Sequence, residues 1–228
     1  MNTQMNIAID GPAGAGKSTV AKLLAEKLEF VYIDTGAMYR ALTWKAIKEN
    51  VDVNDEKVLH QLLKECDIAL VNESGHSLVK LNGQDVTEEI RNASVTNNVS
   101  YVAKHPLIRK EMVSKQQLLA ANGGTVMDGR DIGTAVLPEA NVKIFLTASV
   151  EERAKRRHEE NISKGMSSDL VKLKEDIAKR DQIDSERDVA PLKQAEDAIV
   201  LDSTSMSIEE VVENIYGVIV ERDGTVEH

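Results

Sequence analysis

The chain has 228 residues, 42% of them hydrophobic and only 3% aromatic, with a formal net charge of -10. That length and apolar share suffice for one core with inserted subdomains, and the scarcity of large aromatics favours an α/β protein over a β-sandwich. The single cysteine, Cys66, excludes a disulfide framework and cysteine-based zinc sites, and the acidic balance argues against nucleic-acid binding through the general surface. No run of about 18 apolar residues occurs, and no basic start precedes an apolar stretch, so the expectation is a soluble, cytoplasmic protein without membrane contact.

Residues 5–9 form the first of five short apolar runs, the others being 30–33, 125–127, 142–146 and 198–201. They are continuous rather than alternating, which predicts strands covered on both faces of a parallel sheet, and four of them end at an aspartate. Helical patterns at 17–28, 37–48, 151–162 and 207–221 separate the runs. The order is that of a doubly wound α/β core.

Directly after the first run stands "GPAGAGKS", residues 11–18: two glycines five apart, then Lys and Ser. Glycines let backbone N–H groups turn inward around a β-phosphate, Lys17 reaches the β- and γ-phosphates, and the Ser18 hydroxyl can ligate magnesium. The helix opening at Lys17 points its positive end at the same anion. Gly11, Pro12, Ala13, Gly14, Ala15, Gly16, Lys17, Ser18 and Thr19 are therefore the expected triphosphate site, with ATP as donor. The predicted fold is a P-loop NTPase-type five-stranded parallel sheet flanked by helices.

Between residues 33 and 125 the chain is about three times longer than one crossover helix needs, so a subdomain is inserted there. Within it, "DIALVN" and "SLVKLNG" alternate about a turn at 73–76, and Asn82-Gly83 is a hairpin signal. These predict a small antiparallel meander over about 67–87, then helices to about 122. The ends of the second and third strands carry "DTGAMYR" and "DGRDIG". Open α/β sheets bind ligands at those ends, so Arg40 and Arg130 are candidates for an acceptor phosphate and Asp128 for a magnesium-bound water.

A second insert, 150–191, is helical in pattern and dense in charge. Arg153, Arg156 and Arg157 share one helical face, and the stripe Leu170, Leu173, Ile177 continues into Arg180, Asp184 and Arg187. A stripe that changes from core residues to charges should run out of the core into a cleft. The Asn-Lys-x-Asp segment of guanine-binding switches is absent, and a second anion site is what a kinase needs and a switch does not. An acceptor that is already anionic needs no base, and the five histidines, His60, His76, His105, His158 and His228, are expected at the surface. The residues alone thus indicate a small-molecule kinase with an anionic acceptor, with a nucleotide-binding switch as the rival.

Taken together, "IDGPAGAGKST", "DTGAMYR", "DGRDIGT", "VKIFLTAS" with "EERAKRR", "KRDQIDSERDVAPL" and "LDSTSMSIEEV" resemble the bacterial cytidylate kinases over about residues 5–219. The resemblance implies ATP- and magnesium-dependent phosphorylation of CMP and dCMP. It assigns cytosine contacts to Ser100, Arg109 and Asp131, acceptor-phosphate contacts to Arg40, Arg130 and Arg187, and a sugar contact to Asp184 with Arg180 beside it. Tyr39 lines the acceptor pocket, Thr35 stands where some relatives carry serine, and Arg153, Arg156 and Arg157 are lid arginines. Lys17, Arg130, Arg153, Arg157 and Arg187 are the expected catalytic set. The implied division is a core of about 1–35, 122–150 and 190–228, a monophosphate-binding insert of about 36–121 and a lid of about 151–189, with CMP, dCMP and ATP as substrates; a monomer is expected. UMP or AMP as acceptor is the alternative within the same fold.

Overall fold

The structure, a computed structural model, describes residues 4–73 and 76–224. The opening 1–3, the tip of the expected turn at 74–75 and His228 lie outside the described residues. In chain order the elements are β1 (Asn6–Asp10), α1 (Lys17–Leu28), β2 (Val31–Asp34), α2 (Thr35–Lys48), α3 (Glu56–Lys64), β3 (Ile68–Glu73), β4 (His76–Leu81) and β5 (Gln84–Asp85). There follow α4 (Ala93–Ala103), α5 (Pro106–Leu119), β6 (Thr125–Gly129), β7 (Val142–Thr147), α6 (Val150–Ser163), α7 (Leu170–Glu186), β8 (Ile199–Asp202) and α8 (Ile208–Asp223). A π-helical turn, Ile132–Val136, leaves the end of β6.

The main sheet runs β2-β6-β1-β7-β8, all parallel, and its register aligns Asp10 with Gly129 and Asp34 with Asp128. Three aspartates from three strands therefore reach the same carboxyl edge. Pleating sends Ile7 and Ile9 to one face, against α1 and α8, and Ala8 to the other, against Ile132 and Val136 of the π turn. The expectation of strands covered on both faces holds for β1, β6 and β7 and fails at the two edges. There Val31 is 52% and Val200 49% exposed, because an edge strand has a neighbour on one side only and its flanking helices do not reach across it.

The insert builds a core of its own. Leu42 of α2, Leu59 and Leu63 of α3, Ile108 and Met112 of α5, and Val79 and Leu81 of β4 bury together. Each such side chain contributes roughly 1.5–3 kcal/mol, so this region has its own hydrophobic reason to hold shape. The meander forms as expected: β3 pairs antiparallel with β4, and Asn82 and Gly83 turn with φ of 50° and 79°. Two positive φ values in succession suit the right-handed twist of a hairpin, which is why Asn-Gly carries the signal.

Helix starts follow their caps. Asp34 accepts from Ala37 N at 2.8 Å, so α2 begins two residues ahead of the expected 37, and Ser207 with Glu210 forms a capping box on α8. The histidine expectation needs one correction. His105 is buried, its Nε2 paired with Val53 O at 2.9 Å, because the turn between α4 and α5 folds under the loop ahead of α3; His60 and His158 are half-buried.

Candidate active site

The glycine turn links β1 to α1. At Gly11 a Cβ would stand 1.9 Å from Leu146 O, so only glycine lets β1 and β7 approach this closely. Gly16, with φ of 89°, is the N-cap of α1 and supplies no side-chain cap, which leaves the first N–H groups of the helix open to an anion. Ala13, Gly14, Gly16, Lys17, Ser18 and Thr19 line the adjoining cleft, whereas Gly11, Pro12 and Ala15 are buried behind it. Lys17 is 5% exposed and donates to Pro12 O at 2.8 Å. Burial and then Arg130 pull its ammonium well below the usual lysine range, against the opposing pull of Asp128 and Asp10. A lysine so desolvated gains from an incoming phosphate what its own neighbours withhold.

Ser18 and Asp128, the two expected magnesium contacts, meet: Ser18 Oγ donates to Asp128 Oδ2 at 2.9 Å. Tyr32 Oη donates to the other oxygen, Oδ1, at 2.8 Å and so fixes the carboxylate plane. Burial, and then Asp34, raise the Asp128 carboxyl to about 6. No group of three or more His, Cys, Asp or Glu side chains capable of holding a metal occurs among the described residues. One hydroxyl and one carboxylate suit magnesium, which keeps several waters and takes its remaining oxygens from phosphates.

Across the cleft the arginines sit among carboxylates. Arg40 pairs with Asp34 at 2.8 Å, and Arg130 Nε with Asp184 Oδ2 at 3.0 Å. Asp131 is gripped by Arg109 on Oδ2 and by Arg187 on Oδ1 at 3.4 Å. Tyr39 is buried with its ring 5.6 Å from the Arg109 guanidinium, and burial pushes its hydroxyl up to about 12. Two hydroxyls are turned inward. Thr35 Oγ1 donates to Asp128 O at 2.7 Å, and Ser100 Oγ donates to Asp184 Oδ1 at 2.9 Å. Against the upward push of burial, Arg130, Arg180 and Arg187 hold the Asp184 carboxyl below its usual range.

One cleft of ≈ 1590 Å³ is lined both by the glycine-turn residues Gly14, Gly16, Lys17 and Ser18 and by Arg40, Arg130, Arg180 and Arg187. A pocket for one small ligand spans roughly 300–1,000 Å³, so the space suits two. Arg40, Arg109 and Arg180 each bury an Nε with no hydrogen-bond partner among the described residues. Burial, and then Arg130, lower the Arg180 guanidinium to about 10. Such a surplus of buried donors asks for an anion.

The cytidylate kinase family model matches residues 7–221. The chain belongs to the cytidylate kinase family. It is 62% identical over 224 residues to a cytidylate kinase of a Geobacillus species, with 98% of this chain and 100% of that protein covered. The cytidylate kinase of Anoxybacillus flavithermus is 64% identical over 222 residues, covering 97% and 99%. A gluconokinase structure from Sinorhizobium meliloti superposes with a TM-score of 0.53 at 12% identity, covering 98% of this chain and 97% of that one, which is a likeness of fold alone.

In this cytidylate kinase chain the three arginines expected on one face of the second insert meet three different environments. Arg153 is buried and donates to Ala148 O and Ala13 O, each at 2.9 Å, while its Nη2 pairs with Asp181 at 2.7 Å. It therefore ties α6 to the glycine turn and to α7. Arg156 is held by Glu152 and by Ser203 in the loop after β8, and Arg157 pairs with Glu160 where both are exposed. All three line the cleft. Sequence reasoning passed over Tyr32, Asp34, Asp181 and Asp10 as site residues; the aspartates ending β1 and β2 carried a signal in their position, whereas Tyr32 and Asp181 had none.

Proposed function

We propose that the protein transfers the γ-phosphoryl of ATP to CMP or dCMP, giving CDP or dCDP and ADP, with the triphosphate on the glycine turn and the monophosphate among the facing arginines. One observation carries this reading: Arg40, Arg130 and Arg187 line the same cleft as Lys17 and Ser18 of the glycine turn. Arg40, Arg130 and Arg187 take the acceptor phosphate and neutralise its charge, so one of its oxygens can approach the γ-phosphorus. As that oxygen bonds to phosphorus, the bond to the β,γ-bridging oxygen breaks and its electrons leave with ADP. The attacking oxygen carries no proton, so no general base is needed. Lys17, Arg130, Arg153, Arg157 and Arg187 spread positive charge over the transferring group, which is where a loose transition state gathers its negative charge.

Ser18 and Asp128, the latter through water, would hold magnesium, which would supply neutralisation of the phosphate charge. Asp131 reads cytosine: its carboxylate accepts from the exocyclic amine, while Arg109 and Ser100 serve the acceptor atoms of the base. Ser100 leaves Asp184 for that role as the sugar arrives beside Arg180. Residues 36–121 form the monophosphate-binding part and 151–189 a lid that excludes water. The protein acts as a monomer in the cytoplasm, without nucleic-acid or membrane partners; none of its described helices is long and apolar enough to cross a membrane. An ADP-release assay with CMP, with UMP and with no acceptor tests this. Turnover that requires CMP and greatly exceeds that with UMP is expected; hydrolysis indifferent to acceptor, or equal use of UMP, would overturn it.

A further inference from the structure

We infer that Asp10 is a positioning residue for base recognition: it caps the π-helical turn after β6 from outside and thereby releases Asp131, at that turn's own N-cap, to face the ligand cleft. The inference rests on the reading of Asp131 as the cytosine contact.

A helical turn begins with N–H groups that have no partner within it, and the residue at the N-cap ordinarily supplies the acceptor from its own side chain. Among the described residues three other aspartates occupy N-caps, and each does so: Asp34 accepts from Ala37 N, Asp55 from Lys57 N and Val58 N, and Asp169 from Val171 N and Lys172 N. Asp131, preceding Ile132–Val136, makes no such bond. Both of its oxygens point instead to Arg109 and Arg187, which line the cleft. The orphaned N–H groups are met by a residue from another strand. Ile132 N donates to Asp10 Oδ1 at 2.8 Å and Gly133 N to Asp10 Oδ2 at 2.7 Å.

Two features suit Asp10 to this task. It ends β1, whose register puts it beside Gly129, so its short side chain reaches the loop leaving β6 without rearrangement. It is also 4% exposed, so its two hydrogen bonds meet little competition from water and its direction is set. The residue after Asp10 opens the glycine turn. One carboxylate thus holds the base-reading loop in register with the phosphate-binding loop.

Without Asp10 those N–H groups lose their acceptor, and Asp131, at the turn's own N-cap, holds the position from which a carboxylate ordinarily caps them. Turning back to cap its own turn, it would leave the base. The loss is therefore of selectivity and not only of rate, and a purely structural role would lower turnover of both acceptors together. The test measures kcat/KM for CMP and for UMP in the wild type, Asp10→Asn, Asp10→Ser, Asp131→Ala and the double variant Asp10→Asn/Asp131→Ala, with thermal melts to identify folded protein. Asn presents an amide N–H to one of the two donors, and Ser retains a single acceptor in a smaller side chain, so a folding failure of one variant leaves the other. The expected result is a CMP:UMP ratio at least about tenfold below the wild type in either folded Asp10 variant, with no further fall when Asp10→Asn is added to Asp131→Ala. A wild-type ratio retained in a folded Asp10 variant overturns the inference alone. A wild type that does not distinguish CMP from UMP overturns the reading of Asp131 as well.

Discussion

Replacing Arg153 by alanine should loosen the junction between the glycine turn and the two helices over it. Arg153 is 4% exposed and makes two hydrogen bonds to backbone carbonyls, Ala148 O and Ala13 O, besides its ion pair with Asp181, which is 20% exposed. Hydrogen bonds from a charged group contribute about 1.5–3 kcal/mol each, so the two together contribute about 3–6 kcal/mol. Asp181, whose side chain is 20% exposed, loses its ion-pair partner at a cost of about 1 kcal/mol or less once water reaches it. The side-chain entropy regained, about 2 kcal/mol, offsets part of the loss. The net expectation is about 1–5 kcal/mol, or about 2–20 °C in Tm for a chain of this length. Asp181→Ala removes only the ion pair and should lower Tm by about 2–4 °C. Urea titration and thermal melts of both variants measure the two effects. Equal destabilisation, or an Arg153→Ala variant within about 1 kcal/mol of the wild type, would refute the assignment of the two carbonyl bonds as the main contribution.

Lys17→Ala should lower kcat by about 10²–10³, because it removes a desolvated positive charge at the transferring phosphoryl; steady-state rates at saturating ATP and CMP check this. Chelation of magnesium should abolish turnover, and Asp128→Asn should raise the magnesium concentration needed for half-maximal rate, measured by magnesium titration of the coupled assay. Arg109→Met leaves Asp131 with one guanidinium in a buried site and should destabilise the fold by about 3–5 kcal/mol, measured by denaturant titration. Burial raises the Asp10 carboxyl to about 6, against the N–H groups of Gly133 and Ile132, which pull it down. Because the folded value lies above the unfolded one, the associated stability is present at low pH and is lost as pH rises through about 6. Between pH 7 and pH 4 the wild type should therefore gain about 2 kcal/mol relative to Asp10→Asn, measured by urea titrations at the two pH values.

Much of the fold was legible because its signals are local. The continuous apolar runs marked the strands of the main sheet, Asn82-Gly83 marked the hairpin, and the glycine turn stood between a strand and a helix as phosphate binding requires. The arginines expected at the cleft do reach it. What was not legible is the partner each one meets. The shared face of Arg153, Arg156 and Arg157 is a property of the helix, but what Arg153 and Arg156 do came from distant elements, the glycine turn before them and Asp181 and Ser203 after them. Ser100 likewise looked free to meet a base and is held by Asp184, which lies on α7.

Amino-acid order alone determined the alternation of strand and helix, the phosphate turn and the supply of cations, since each depends on residues within a few positions of one another. Tertiary structure decided the distant partners of these charged side chains. Arg153 meets Ala13 across 140 positions and Asp10 meets Ile132 across 122. Asp34 and Asp131 illustrate the difference: each precedes a helical turn near the carboxyl edge of the sheet, yet Asp34 caps its own helix and Asp131 does not. The reason is that a cap is a contest between acceptors in space, and sheet register brings a second acceptor, Asp10, to only one of the two.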